Sequence, residues 1–238
     1  MVLYWFMVAL GFVLLLWFIH EKCKAYTVKA TVIKSVVSAL FMGVATYSAF
    51  KVALAGAVGL TMPYFILVGC LFGLLGDIWL DLKYVHRSDE TLYTFAGFCV
   101  FEVMHLIIIA GVITTFSGET GLLVILLPIV VGMVVGIVNV MLDKVMKLDY
   151  GKYKSISGIY GGVLIGTTLM FGALAIQSGF HNSFFVTMFI GYVLFLISDL
   201  VLSQTYFAGK EGKAFIAVNY AAYYAAMYVI ASASLMLI

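Results

Sequence analysis

The chain has 238 residues, 65% of them hydrophobic and 10% charged, and a formal net charge of +2. Soluble domains carry charge on about a quarter of their residues, so this composition excludes a water-soluble globule. The near-neutral balance and the lack of a basic block with interleaved aromatics exclude nucleic acid as a partner.

The first apolar run, Val2 to Ile19, has no positive n-region and is followed by Glu21, Lys22 and Lys24 instead of a small-residue cleavage site. It therefore predicts a retained first helix and not a signal peptide. A window of about 20 residues, the length that crosses a hydrocarbon core of about 30 Å, predicts spans along the rest of the chain. The full set lies near 2–20, 33–55, 60–81, 91–116, 120–142, 155–177, 184–204 and 214–237. The runs Leu122 to Leu142 and Ile156 to Ile176 carry no charge and do not alternate in polarity, as the strands of a membrane barrel would. Connections are short and no Pro/Ser-rich linker interrupts them, which predicts one domain over residues 1–238. The expected fold is all-α, a polytopic membrane bundle of eight transmembrane helices.

Basic residues set the expected orientation. Lys22, Lys24, Lys29 and Lys34 lie at or near the first connection, Lys83 and Arg87 at the third, Lys144, Lys147, Lys152 and Lys154 at the fifth, and Lys210 and Lys213 at the seventh. Only Lys51 falls on the other side. By the positive-inside rule the odd connections face the cytoplasm and both termini are non-cytoplasmic. The expected location is a bacterial cytoplasmic membrane. Gly76-Asp77-Ile78-Trp79-Leu80 in the third span and Ser198-Asp199-Leu200-Val201-Leu202 in the seventh form a faint internal echo, too short to establish a duplication.

Ionisable residues within the spans are few: Lys34, Asp77, Glu102 with His105, and Asp199. Each costs a few kcal/mol at membrane depth, so such residues are expected to face a bundle interior or wet cavity and to mark function. At 1.5 Å of rise per residue, Lys34, Asp77, Glu102, Asp199, Tyr220, Tyr223 and Tyr224 all fall roughly 7 to 18 Å inside the cytoplasmic flank. Glu102 and His105 share a helix face, as do the three tyrosines at spacings of three and four. These residues predict a pocket lined by the second, third, fourth, seventh and eighth spans and open to the inner leaflet. Asp81, Asp89 and Glu90 read as solvated residues at the exit of the third span. His20, His86 and His181 fall in loops or interfaces, and the cysteines have no CxxC spacing, so neither a metal site nor a cofactor is expected.

Gly191-Tyr192-Val193-Leu194-Phe195-Leu196-Ile197-Ser198-Asp199, followed by Phe207, resembles a G-A-x-L-F-x-x-S-D block of the lysoplasmalogenase family, also called YhhN-like. Leu71 to Asp77 is similar to that family's second acidic block, Gly97, Phe101 and His105 reproduce a G-x3-F-x3-H spacing, Lys34 falls where the family tends to have Lys-Pro, and Tyr223-Tyr224-Ala225-Ala226 resembles the start of a Y-Y-x-A-Q run. Ser35, Ile108 and Met227 depart from the pattern. The resemblance implies hydrolysis of the vinyl ether bond of a lysoplasmalogen to a fatty aldehyde and a glycerophospho-base, with a lysophospholipid as substrate and membrane lipid as surroundings.

The residues suit that chemistry. Vinyl ether cleavage needs an acid, a carboxylate and a water, and two carboxyls sharing a poorly solvated pocket can divide the roles of proton donor and ionised partner, as in glycosidases. Asp77 and Asp199 are the expected catalytic pair, with their assignment open. His105 or a tyrosine is expected to orient water, and Lys34, Glu102, Tyr220, Tyr223 and Tyr224 to bind substrate, Lys34 by holding the phosphate. The alternative is a proton-coupled small-molecule or lipid transporter using the same intramembrane acids. Against it, transporters commonly break helices at their sites, and these acidic blocks hold no proline.

Overall fold

In hydrocarbon no water is available to backbone N–H and C=O groups, so a chain of this composition satisfies them within its own helices. A computed structural model describes residues 1–24, 27–56, 61–210 and 212–238. Its elements are α1 (Val2–Lys22), α2 (Val28–Leu54), α3 (Thr61–Val85), α4 (Glu90–Thr120), α5 (Leu122–Met141), the one-turn α6 (Asp143–Met146), α7 (Lys154–Gln177), α8 (Ser183–Phe207) and α9 (Lys213–Ser232). All but α6 are long and apolar enough to cross a membrane, giving the eight expected spans, and no strand occurs among the described residues.

Local chemistry fixes several ends. Thr27 Oγ1 accepts the Ala30 N–H at 3.3 Å to start α2, and Asn182 Oδ1 accepts those of Phe184 and Phe185 at 3.0 and 3.2 Å to start α8. Gly121, at φ 84°, stops α4 in a conformation that side chains disfavour. α3 continues to Val85 and α8 to Phe207, past the hydropathy windows, and their last turns find partners: Asp81 meets Lys22 and Lys34, Lys83 meets the Tyr206 ring, and Phe207 meets Tyr150.

Neighbours in sequence are mostly neighbours in space. α1 packs on α2, α2 on α3, α3 on α4, α4 on α7, α7 on α8 and α8 on α9, and α9 returns to α2 and α1 to close a ring. α5 stands outside that ring, against α7 and, to a lesser extent, α4. Accordingly the apolar window of the α7 span is 67% buried, whereas those of α5 and α1 are 22% and 17% buried. The outward faces of α1 and α5, including Trp5, Phe12, Leu123 and Val130, are exposed and suited to lipid.

Without a hydrophobic driving force between helices, close backbone approach holds a membrane bundle together. The seam between α5 and α7 shows this. A Cβ on Gly132 would lie 2.2 Å from Gly166 N, and one on Gly136 would lie 2.5 Å from the Gly158 carbonyl oxygen. At one end of the bundle the Met1 ammonium donates to the Tyr47 hydroxyl at 2.8 Å, and the Tyr4 hydroxyl lies 3.0 Å from Ser232 Oγ. The first and last spans thus begin and end on the same side.

Candidate functional site

Spacings of four bring polar residues onto single faces: Lys34 with Ser38 on α2, and Asp77 with Asp81 on α3. Where these faces meet, Lys34 Nζ lies 3.1 Å from Asp77 Oδ1 and 3.3 Å from Asp81 Oδ1, and donates to the Asp77 carbonyl at 3.3 Å. The end of α1 adds Lys22, whose ammonium donates to Asp81 Oδ2 at 3.1 Å. All four groups are buried, none more than 3% exposed. Isolated charges in such a place would be prohibitive, and alternating two cations with two anions offsets the desolvation. The expectation that Asp81 is solvated is overturned. α3 runs a further turn, and Asp81, four residues after Asp77, is carried inward to Lys22 and Lys34.

Asp77 has further donors. Ser38 Oγ donates to its Oδ2 at 2.6 Å, and the Tyr223 hydroxyl donates to the same oxygen at 2.8 Å. Tyr224 stands behind, its hydroxyl 2.9 Å from Ser38 Oγ and donating to the Lys34 carbonyl at 3.3 Å. The site is also where α3 and α4 are pressed together: a Cβ on Gly76 would meet the Phe101 ring at 2.7 Å, and one on Gly97 would meet Leu80 at 2.4 Å.

Asp199, on α8, is held differently. The Tyr160 hydroxyl from α7 donates to its Oδ2 at 2.5 Å, and no lysine or arginine pairs with it among the described residues. The preceding residue is anchored instead: Asn219 Nδ2 of α9 donates to the Ser198 carbonyl at 2.9 Å.

Both aspartates line one cavity of about 40 Å³, together with Lys34, Asp81, Tyr160, Tyr220, Tyr223, Phe101 and Phe195. Its walls come from α2, α3, α4, α8 and α9, as the sequence predicts, and also from α7 through Tyr160. A second, mostly apolar cavity of about 80 Å³ shares Asp199 and Tyr160 with the first and runs between α7 and α8 past Leu164, Ile165 and Leu196. A third space, an open vestibule of about 820 Å³, occupies the end of the bundle where α3 and α8 finish and α9 begins. Tyr206 borders all three.

The remaining predicted residues divide. The Tyr220 ring lines the small cavity with the Lys34 ammonium 5.5 Å from its centroid. Tyr224 is fully buried behind the lining. His105 is also fully buried, boxed by the rings of Tyr160, Tyr192 and Phe195 at 5.7, 5.6 and 5.1 Å. Its Nδ1 lies 3.4 Å from the Tyr192 hydroxyl, and its Nε2 meets no hydrogen-bond partner among the described residues. Glu102 Oε2 is likewise buried without a partner there, and neither side chain reaches the cavity lining. No group of three or more His, Cys, Asp or Glu able to hold a metal ion occurs among the described residues. Sequence reasoning missed Ser38, Asp81, Tyr160 and Asn219. Only the first two left a signal, a spacing of four from Lys34 and from Asp77.

The chain matches the family model described as YhhN over residues 31–234. It belongs to the YhhN family. Searches among curated proteins and among solved structures return no match. Membership in this lysoplasmalogenase-like family points to a hydrolase in the membrane, and the YhhN sequence blocks coincide with the polar elements just described. Gly76 and Gly97 of this YhhN chain permit the α3–α4 contact beside Asp77, and the Ser198-Asp199 pair supplies both the carbonyl that Asn219 holds and the carboxyl that Tyr160 holds.

Proposed function

We propose that the protein is a lysoplasmalogenase, hydrolysing the vinyl ether of a single-chain glycerophospholipid with Asp77 and Asp199 as its two carboxyls. The observation that carries this reading is that the two acids, from distant stretches of chain, border one small cavity walled by aromatic rings. The hydrogen-bond inventory favours a division of labour. Asp77 faces the Lys34 ammonium and the hydroxyls of Ser38 and Tyr223, all of which favour its ionised form. Asp199, with one phenol and, among the described residues, no cation, is the group suited to carry a proton.

Asp199 then gives its proton to the alkenyl carbon one removed from the ether-bearing carbon, leaving an oxocarbenium ion whose positive charge the Asp77 carboxylate stabilises. Water adds to the oxygen-bearing carbon and loses a proton to a carboxylate. The hemiacetal breaks its carbon–oxygen bond to the glycerol, returning a proton to the glycerol oxygen and releasing the aldehyde. The apolar cavity between α7 and α8, which reaches Asp199, suits the hydrocarbon chain. The concentration of lysines at the vestibule end supports a cytoplasmic orientation for that end.

Purified protein given lysophospholipids with and without a vinyl ether should release aldehyde only from the former. Asp77→Asn and Asp199→Asn should each abolish release while retaining the wild-type elution volume. Full turnover by either variant would end the proposal.

A further inference from the structure

The expected phosphate ligand, Lys34, is already committed: its three N–H donors are matched by Asp77 Oδ1, Asp81 Oδ1 and the Asp77 carbonyl. A phospholipid bound at the two acids therefore needs its anion held elsewhere. The vestibule beyond Tyr206 is lined by Lys22, Lys24, Lys83, Lys152 and Lys213 against Glu90 and Asp149. Lys22 pairs with Asp81 and Lys24 with Glu21. Lys83, Lys152 and Lys213 form no salt bridge among the described residues.

Lys83 is the unusual member. It is only 6% exposed, and its ammonium is held by ring faces, 3.6 Å from the Tyr206 centroid and 4.9 Å from that of Tyr84. Aromatic faces attract a cation, but they do not neutralise one, and among the described residues no carboxylate pairs with it, which for a buried cation is costly. The position also fits the ligand. Tyr206 borders the acid cavity on one side and the vestibule on the other, and in a lysophospholipid only the glycerol backbone separates the ether oxygen from the phosphate.

We propose that Lys83, assisted by Lys152 and Lys213, binds the phosphoester anion of a single-chain phospholipid in the vestibule. The identity of the lipid rests on the reading of the acid cavity as a hydrolytic centre; the anion site itself stands on the vestibule.

The test uses the full chain in detergent micelles and measures binding of lysophosphatidylcholine, an acyl lipid without a vinyl ether, beside inorganic phosphate. Lys83→Gln should weaken lysophosphatidylcholine binding about tenfold, the value of one charge-assisted hydrogen bond. Lys144→Gln, exposed and outside the vestibule, should not. With a vinyl ether lysophospholipid, Lys83→Gln should raise KM about tenfold and leave kcat within about twofold, the mark of lost uniform binding. Should Lys83→Gln fail to fold, the exposed pair Lys152→Gln and Lys213→Gln, made together, carries the same expectation. Unchanged lysophospholipid affinity in these variants overturns the proposal, as does binding of inorganic phosphate with no binding of the lipid. Lipid binding that depends on Lys83 without any aldehyde release would sustain the anion site and sink the hydrolase reading alone.

Discussion

Asp77 and Asp199 border the same cavity but are built into the protein in opposite ways. Asp77 belongs to a chain of charges, Asp77–Lys34–Asp81–Lys22, tied to α1, α2 and α3 and capped by hydroxyls from α2 and α9. Among the described residues Asp199 has a single phenol and no cation. One half of the cavity is thus an electrostatic anchor whose members depend on one another for tolerance of burial. The other half is an acid outside that chain of charges, held by one phenol.

Six substitutions test that contrast. The largest effect belongs to the acids. Asp199→Asn should lower kcat by about 10³-fold, within the range for loss of a general acid, with little change in thermal unfolding because no ion pair is broken. Equal and large losses of stability in Asp199→Asn and Asp77→Asn would show that the two halves do not differ. Next comes Lys34→Met, which strands the Asp77 carboxylate and should cost about 3–5 kcal/mol of stability. Adding Asp77→Asn to it should restore much of the loss, since Lys22 and Asp81 remain paired; an additive double variant, followed by unfolding in mixed micelles, would break the description of a coupled network.

Tyr160→Phe should reduce kcat roughly tenfold through loss of the one hydrogen bond to Asp199, and Ser38→Ala should do less because Asp77 keeps Tyr223 and Lys34. Reversal of that order in steady-state assays would contradict the inventory of donors. The smallest effect is expected outside the membrane, at the Asp143–Lys154 pair, 2.6 Å apart. The hydrogen bond from Lys154 holds the Asp143 carboxyl below its usual range. A depressed value means stabilisation that is present above about pH 4 and lost as pH falls through the folded-state value. Asp143→Asn should therefore change the unfolding midpoint less at pH 7 than Lys34→Met does, and not at all in strong acid, as a thermal titration would show.

Hydropathy alone made the eight spans legible, because the hydrocarbon thickness sets a minimum apolar length for each helix. It also gave the depth of Lys34, Asp77, Asp199, Tyr220 and Tyr223, and these five do meet at one cavity. Depth along the membrane normal says nothing of azimuth about each helix, however. Glu102 lies at the same computed depth and His105 on its face, yet α4 turns Phe101 to the cavity instead. Tyr160 was hidden for a related reason: its span carries no charge, and one phenol among apolar residues has no periodicity to mark it. Asp81 was misjudged because a hydropathy window ends where polar residues begin, whether or not the helix does.

The α5–α7 seam has a consequence for how lipid could reach the acids. Two backbones in close contact, with glycines at the crossing, leave no slot between them, and the pair forms a single plank in the wall of the bundle. The apolar cavity beside Asp199 has that plank for one jamb and α8 for the other. Room for a chain wider than the present gap therefore has to come from the α8 side, the side that carries the acid and that Asn219 ties to α9.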